Sequence, residues 1–188
     1  MNKTPPSTLI VFNKPCGVLC QFTGEATDKT LADFIPWPGF YPAGRLDKMS
    51  EGLLLLTSDG RLQDRLCHPR HGKEKRYWAQ VEGIANDSAL EPLLKGLRLG
   101  DTHFLPAKAE CMEAPALWER TPPIRVRKSV PDSWVCITLN EGKNHQVRRM
   151  LAAVGLPVLR LVRVEAAGIG LQGLQPGEYR FQMNVSGR

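Results

Sequence analysis

Long apolar runs are missing from this chain of 188 residues: the longest, such as Leu53 to Leu56, fall far short of the roughly 20 residues that cross a bilayer. No membrane-spanning helix is expected, and the polar, proline-containing Met1 to Ser7 lacks the pattern of a signal peptide. Cysteine pairs are missing too. Cys16, Cys20, Cys67, Cys111 and Cys136 are five in number with no CxxC, which argues against a disulfide framework and for the reducing cytoplasm. There is no Walker loop, and Gly168-Ile169-Gly170 lacks the third glycine of a dinucleotide fingerprint, so no nucleotide cofactor is implied. Neither repeats nor low-complexity tracts occur.

What is present is an ordinary globular composition, 42% hydrophobic and 23% charged, enough for one sizeable core or two small ones sharing a cleft. Acidic residues are the minority, 19 against 25 basic ones, and the resulting charge of +6 favours a polyanionic partner, with nucleic acid the first candidate. A mild basic excess can equally serve solubility, so the distribution of charge has to decide.

Thr8 to Phe12 is β-branched and apolar and stops at Asn13-Lys14-Pro15-Cys16-Gly17, a strand entering a tight loop. Asp28 to Phe34 suits a short helix, broken by Ile35-Pro36-Trp37-Pro38-Gly39. Gly52 to Thr57 reads as a strand buried on both faces, and Ser58-Asp59-Gly60 caps a helix running to about Leu66. Tyr77 to Glu82 alternates like a strand, and Ser88 to Leu97 has helical spacing with Ser88 as its cap. Pro115 to Pro131 is a proline-rich loop or edge hairpin, with four positive charges and no acid between Arg120 and Lys128. Trp134 to Leu139 is a further strand, Asn144 to about Val154 a helix ended by Gly155, and Val158 to Val164 is β-like again. Strands and helices are interspersed without steady alternation, which predicts an α+β fold with a mixed sheet rather than a doubly wound one.

Two segments can carry chemistry. Gly44-Arg45-Leu46-Asp47 lies between an aromatic-proline loop and a buried strand, where a loop carboxylate can be held rigidly above a core. An ordinary loop aspartate would instead cap a turn or pair with Arg45 or Lys48. Glu141 to Met150 sets polar and cationic groups at the first turns of a helix, whose amides favour anions. The apolar Val147, Met150 and Leu151 claim one face of that helix and turn some polar groups toward a cleft.

The run from Gly44-Arg45-Leu46-Asp47-Lys48-Met49 through Thr57-Ser58-Asp59-Gly60 resembles the signature of the bacterial rRNA pseudouridine synthases whose namesake is small-subunit enzyme A. Asn13 to Gly17, Lys75-Arg76-Tyr77, Glu141 to Met150, Arg160 to Arg163 and Leu174 to Arg180 are similar to the family's other motifs, in the family's order. Together they cover essentially the whole chain. Met49 stands where relatives usually carry a polar residue and His145 where many carry Arg, which touches substrate detail rather than activity.

The resemblance implies a largely antiparallel mixed sheet with flanking helices and two subdomains around a central catalytic cleft. It implies one catalytic domain over 1–188 with no separate N-terminal RNA-binding module. The implied activity is isomerisation of uridine to pseudouridine in rRNA, the large subunit's favoured, by a monomer needing no metal or other cofactor. Asp47 is the implied catalytic carboxylate, Arg148 the guanidinium that keeps it charged, and Tyr77 the ring against the uracil. Whether Asp47 attacks the sugar, attacks the base or removes a sugar proton stays open. Arg45 is expected to stack or to fill the gap left by an extruded base, with Asn144 and Arg149 as further substrate contacts. Lys73, Lys75, Arg76, Arg125, Arg127, Lys128, Lys143 and Arg149 are candidates for the RNA backbone.

Two rival classes remain. A non-catalytic RNA-binding or ribosome-associated module would share the charge but need no Asp47. A metal hydrolase could draw on Cys67, His68, His71 and His103, although these lack a second ligand pair at familiar spacing. A glycoside hydrolase would need two facing carboxylates, and no second acid is comparably placed.

Overall fold

The computed structural model of the protein describes residues 9–124 and 129–182; Met1 to Thr8 and the basic residues Arg125, Arg127 and Lys128 lie outside the described residues. Apolar side chains on both faces make β1 (Leu9–Lys14) a strand buried along its whole length. After the two-residue β2 (Tyr41–Pro42), the leucine run forms the middle of β3 (Glu51–Thr57), also buried throughout. Leu53 and Leu55 pack with Leu9, Val11 and Leu62 on one side, while Leu54 and Leu56 pack with Ile10, Phe12 and Phe40 on the other. A strand covered on both faces has no wet side, hence no alternation.

Asp59 starts α1 (Gly60–Cys67), its carboxylate accepting from the amides of Arg61 and Leu62 at 2.8 and 3.2 Å. The helix expected over Asp28 to Phe34 contracts to a 3-10 turn, Leu31–Asp33, closed by a Thr30–Asp33 capping box. Its first amide is already taken by the Gln21 carbonyl at 2.9 Å, and Pro36 allows no continuation. Next comes β4 (Lys75–Glu82), which buries Tyr77, Ala79 and Val81 on one face.

The following helix, α2 (Asp87–Lys95), is capped by Asn86 rather than Ser88, the Asn86 side chain accepting from Ala89 N at 2.9 Å. It ends short of Leu97 because Gly96, at φ 83°, passes so close to the Phe104 carbonyl that a Cβ would collide with it. Leu97 instead opens a hairpin of β5 (Leu97–Leu99) and β6 (Thr102–Phe104). Then follow β7 (Lys108–Met112), β8 (Asp132–Leu139), α3 (Gln146–Ala153), β9 (Val158–Ala166), β10 (Ile169–Gly170) and β11 (Tyr179–Gln182).

The main sheet runs β11-β1-β3-β9-β4-β8-β7, with β2 added on β3 and β10 on β9. Its pairs are antiparallel except β3 with β9, so the predicted α+β fold with a mixed, largely antiparallel sheet is the one observed. That parallel joint is short, pairing Glu51 with Val162 and Gly52 with Arg163. Gly52 has φ 98° and lies against the Arg163 carbonyl, leaving no room for a side chain.

A buried ion pair reinforces the joint. Glu51 accepts from Arg160 Nε and Nη2, both at 2.9 Å, and from the Trp118 indole at 2.8 Å, and Arg120 Nε stands 3.6 Å away. The Glu51 side chain is 2% exposed, so removing it strands the cationic partners without a counter-charge. Glu51→Ala is expected to lower unfolding free energy by about 3–5 kcal/mol, read from urea denaturation. A loss under about 1 kcal/mol would mean that water already screens the pair.

Candidate active site

The segment joining β2 to β3 is tied to the chain on both sides of Asp47. Leu46 is buried in the apolar core below, and its amide bonds to Cys20 Sγ at 3.2 Å. The Lys48 carbonyl accepts from Gly17 N at 2.8 Å and from Lys14 Nζ at 3.2 Å. Lys14 also donates to the carbonyls of Pro15 and Val18, at 2.9 and 2.8 Å, so all three ammonium hydrogens are used. Burial pulls its pKa down to about 8, with Cys20 and Cys16 opposing the shift. The sequence hinted at this through a lysine ending an apolar strand just before Pro15-Cys16-Gly17, yet Lys14 was not among the expected site residues.

Opposite this loop, a buried network shapes the approach to α3. Glu141 accepts from Leu105 N at 2.8 Å and from Gln146 Nε2 at 2.6 Å, and Gln146 Oε1 accepts from Lys143 N at 3.0 Å. The turn leaves His145 left-handed, at φ 49°, so the helix begins at Gln146 rather than Asn144. That backbone sends the imidazole toward the loop, with Nδ1 3.3 Å from Asp47 Oδ2. From the first turn of α3, Arg148 Nε reaches to 3.7 Å of the same oxygen.

Arg148 is itself anchored. Its terminal nitrogens donate to the carbonyls of Val158 and Met49, each at 3.3 Å, and to Ser50 Oγ at 3.4 Å. Ser50 Oγ in turn donates to Asp47 Oδ2 at 3.3 Å. Burial lowers the Arg148 pKa, Asp47 opposes that shift, and the nearby Arg120 charge adds to it. The guanidinium is thus partly stripped of water and set beside one carboxylate, where its attraction is stronger than at an open surface.

Asp47 opens onto a cavity of about 260 Å³ whose walls include Arg45, Lys75, Tyr77, His145, Leu161 and Arg163. That is close to the lower end of the roughly 300–1,000 Å³ typical of small-molecule sites, a size suited to one base. Asp47 is the only carboxylate among the described residues of its wall. A larger hollow of about 1210 Å³ lies on the other sheet face, lined by Arg76, Trp78 and Trp118 and remote from Asp47.

The expected residues separate accordingly. Asp47, Tyr77 and Arg45 line the cavity and Arg148 stands behind Asp47. Asn144 is exposed and outside the wall. Arg149 stacks its guanidinium 4.8 Å from the Phe104 ring centre and donates to Thr102 Oγ1 at 3.2 Å, next to the hairpin rather than in the cavity. Lys75 and Lys143 line the cavity, whereas Arg76 pairs with Glu165 at 3.2 Å and faces the larger hollow. His145, Ser50 and Arg163 were not among the expected site residues; only the tertiary fold brings them to Asp47 or to the cavity wall. Asp64 takes Arg70 and His71 as partners, and among the described residues no three His, Cys, Asp or Glu side chains gather as a metal site would require.

A carboxylate facing a base-sized cavity beside a guanidinium, on a mixed sheet, defines a class that comparison identifies. Residues 8–153 match the model of the RNA pseudouridylate synthase family, and the chain belongs to that family: it is an enzyme that isomerises uridine to pseudouridine. It is 52% identical over 172 residues to ribosomal large subunit pseudouridine synthase E of Vibrio vulnificus (strain CMCP6), covering 92% of this chain and 74% of that protein. Against the enzyme of the same name from Xanthomonas campestris pv. campestris it is 53% identical over 175 residues, covering 92% and 94%. Ribosomal small subunit pseudouridine synthase A of Escherichia coli (strain K12) is 37% identical over 174 residues, covering 90% and 68%. A solved pseudouridylate synthase superposes with a TM-score of 0.77 at 30% identity, covering 94% of this chain and 70% of that one.

Proposed function

We propose that the chain isomerises a uridine of large-subunit ribosomal RNA, with Asp47 as the catalytic carboxylate, Arg148 as its charge partner and Tyr77 as the ring beside the base. The observation that carries this reading is the pairing of Asp47 with Arg148 at the wall of a cavity that holds no other carboxylate among its described residues. One acid suffices when the detached base itself returns as the nucleophile. The names of the relatives from Vibrio and Xanthomonas support the choice of large-subunit RNA.

A uridine stacked in RNA cannot reach Asp47, so it has to be extruded at a cost of a few kcal/mol. Arg45, exposed at the cavity edge, is the side chain placed to stack in its stead; such stacking is worth about 1–3 kcal/mol. Arg149 and Asn144 lie outside the cavity and serve the RNA backbone in this reading. The whole chain acts as one catalytic domain, a cytoplasmic monomer. Its described cysteines are all free, and among the described residues no helix is long and apolar enough to cross a membrane.

Incubating the purified protein with fragments of large- and small-subunit rRNA and mapping new pseudouridines tests the assignment. One new pseudouridine in a large-subunit fragment is the expected outcome. Modification of small-subunit fragments alone, or of none, would overturn it.

A further inference from the structure

The cavity holds more positive charge than Asp47 can answer. Arg163, on β9, is 2% exposed, and its one side-chain hydrogen bond among the described residues runs from Nε to the Leu53 carbonyl at 2.8 Å. Lys75, the first residue of β4, is half-buried and donates to the Lys73 carbonyl at 3.2 Å. No described carboxylate stands within ion-pair distance of either, although both line the cavity. The acid that is present, Asp47, is already engaged by Arg148 and His145. Burial lowers the Lys75 pKa and the Arg163 charge lowers it further, with Cys67 and Glu141 opposing the shift. Cations drawn out of water, with no ion-pair partner among the described residues and beside an open cavity, are arranged for an anion that arrives with the substrate.

We infer that Arg163 and Lys75 are catalytic residues that hold the detached uracil as an anion while it turns in the cavity. The inference rests on Asp47 being the reacting carboxylate. When the bond from the sugar C1′ to N1 breaks, its electron pair stays with the base and spreads over N1, O2 and O4. This holds whether Asp47 bonds to C1′ or removes a sugar proton, and the inference rests on Asp47 acting at the sugar rather than on the base. After rotation the pair at C5 forms the new bond to C1′ as the Asp47–C1′ bond breaks or as Asp47 returns its proton to the sugar, and the C5 proton passes to N1, so Asp47 is regenerated and substrate and product are isomers. Fixed cations lower the energy of the charge-separated stage and leave the neutral nucleoside little affected, which places their effect on kcat rather than on KM.

The test is steady-state kinetics of Lys75→Met and Lys75→Arg on an rRNA fragment that the wild type modifies, with Asp47→Asn alongside. Lys75→Met keeps most of the aliphatic packing without the charge. Its kcat is expected to fall at least about thirtyfold with KM within about twofold, and Lys75→Arg to recover most of the loss. Arg163→Lys and Arg163→Gln, compared at equal folded fraction by circular dichroism, should show the same charge dependence. A Lys75→Met kcat within about threefold of wild type, equal losses in Met and Arg variants, or a raised KM with intact kcat would each overturn the inference. If Asp47→Asn is inactive while Lys75→Met is not, this inference alone fails. An active Asp47→Asn would remove the reading beneath it.

Discussion

Asp47→Asn is expected to lower pseudouridine formation by at least about a thousandfold, a rise of roughly 4 kcal/mol in the barrier, while RNA binding persists. The side chain keeps its shape and loses the charge and lone pairs that make it a nucleophile or base. Its contacts with Ser50, His145 and Arg148 are local, and both flanking residues are fixed independently, Leu46 by the core and Lys48 through its carbonyl. The chain already carries +6, and removing one negative charge from a site that faces a polyanion leaves affinity equal or slightly stronger. Gel-shift titration and quantification of pseudouridine on the same fragment separate the two effects. Affinity lost together with activity would identify Asp47 as a structural residue.

Arg148→Ala is expected to reduce kcat by about a hundred- to a thousandfold, roughly 3–4 kcal/mol. The guanidinium does several things at once: it faces Asp47, bonds to the carbonyls of Met49 and Val158, and reaches Ser50, which itself donates to Asp47. Truncation removes the counter-charge and lets the loop from β2 to β3 move relative to β9. Arg148→Lys restores a point charge but cannot span the two carbonyls with a planar fork, so it should recover only part of the rate. Single-turnover rates at saturating enzyme measure this directly. A drop of less than about threefold for Arg148→Ala would show that Asp47 needs no cationic partner.

Much of the fold was legible because it depends on local pattern. The leucine run of β3, the Asp59 cap of α1 and the alternation in β4 each follow from which faces are buried, and each was predicted within a residue or two. Boundaries failed where a distant group decides them. Leu97 has helical spacing with Leu90 and Leu93, yet Gly96 against the Phe104 carbonyl diverts it into a hairpin. Asn144 and His145 read as the start of a helix, yet the Glu141–Gln146 network forces a turn there.

The site divides in the same way. Asp47, Tyr77 and Arg148 sit in motifs contiguous in sequence, and the fold brings them to one place. The buried charges behind them left little trace, because Glu51 and Arg160, or Lys75 and Arg163, are far apart in sequence and acquire meaning only when β3, β9 and β4 become neighbours. Arg163 lies in a β-like run and a family-like motif, and only the crowded joint with Gly52 shows that its strand is interior.

The most direct measurement is a crystal structure of the Asp47→Asn protein bound to an rRNA fragment containing the target uridine. The uracil should be out of the RNA stack and inside the cavity, against the Tyr77 ring, with the nucleoside about 3–3.5 Å from the residue 47 side chain, a distance from which reaction can start. A target uridine still stacked in the RNA, or bound away from that cavity, would contradict the assignment of Asp47 as the carboxylate that meets the nucleoside.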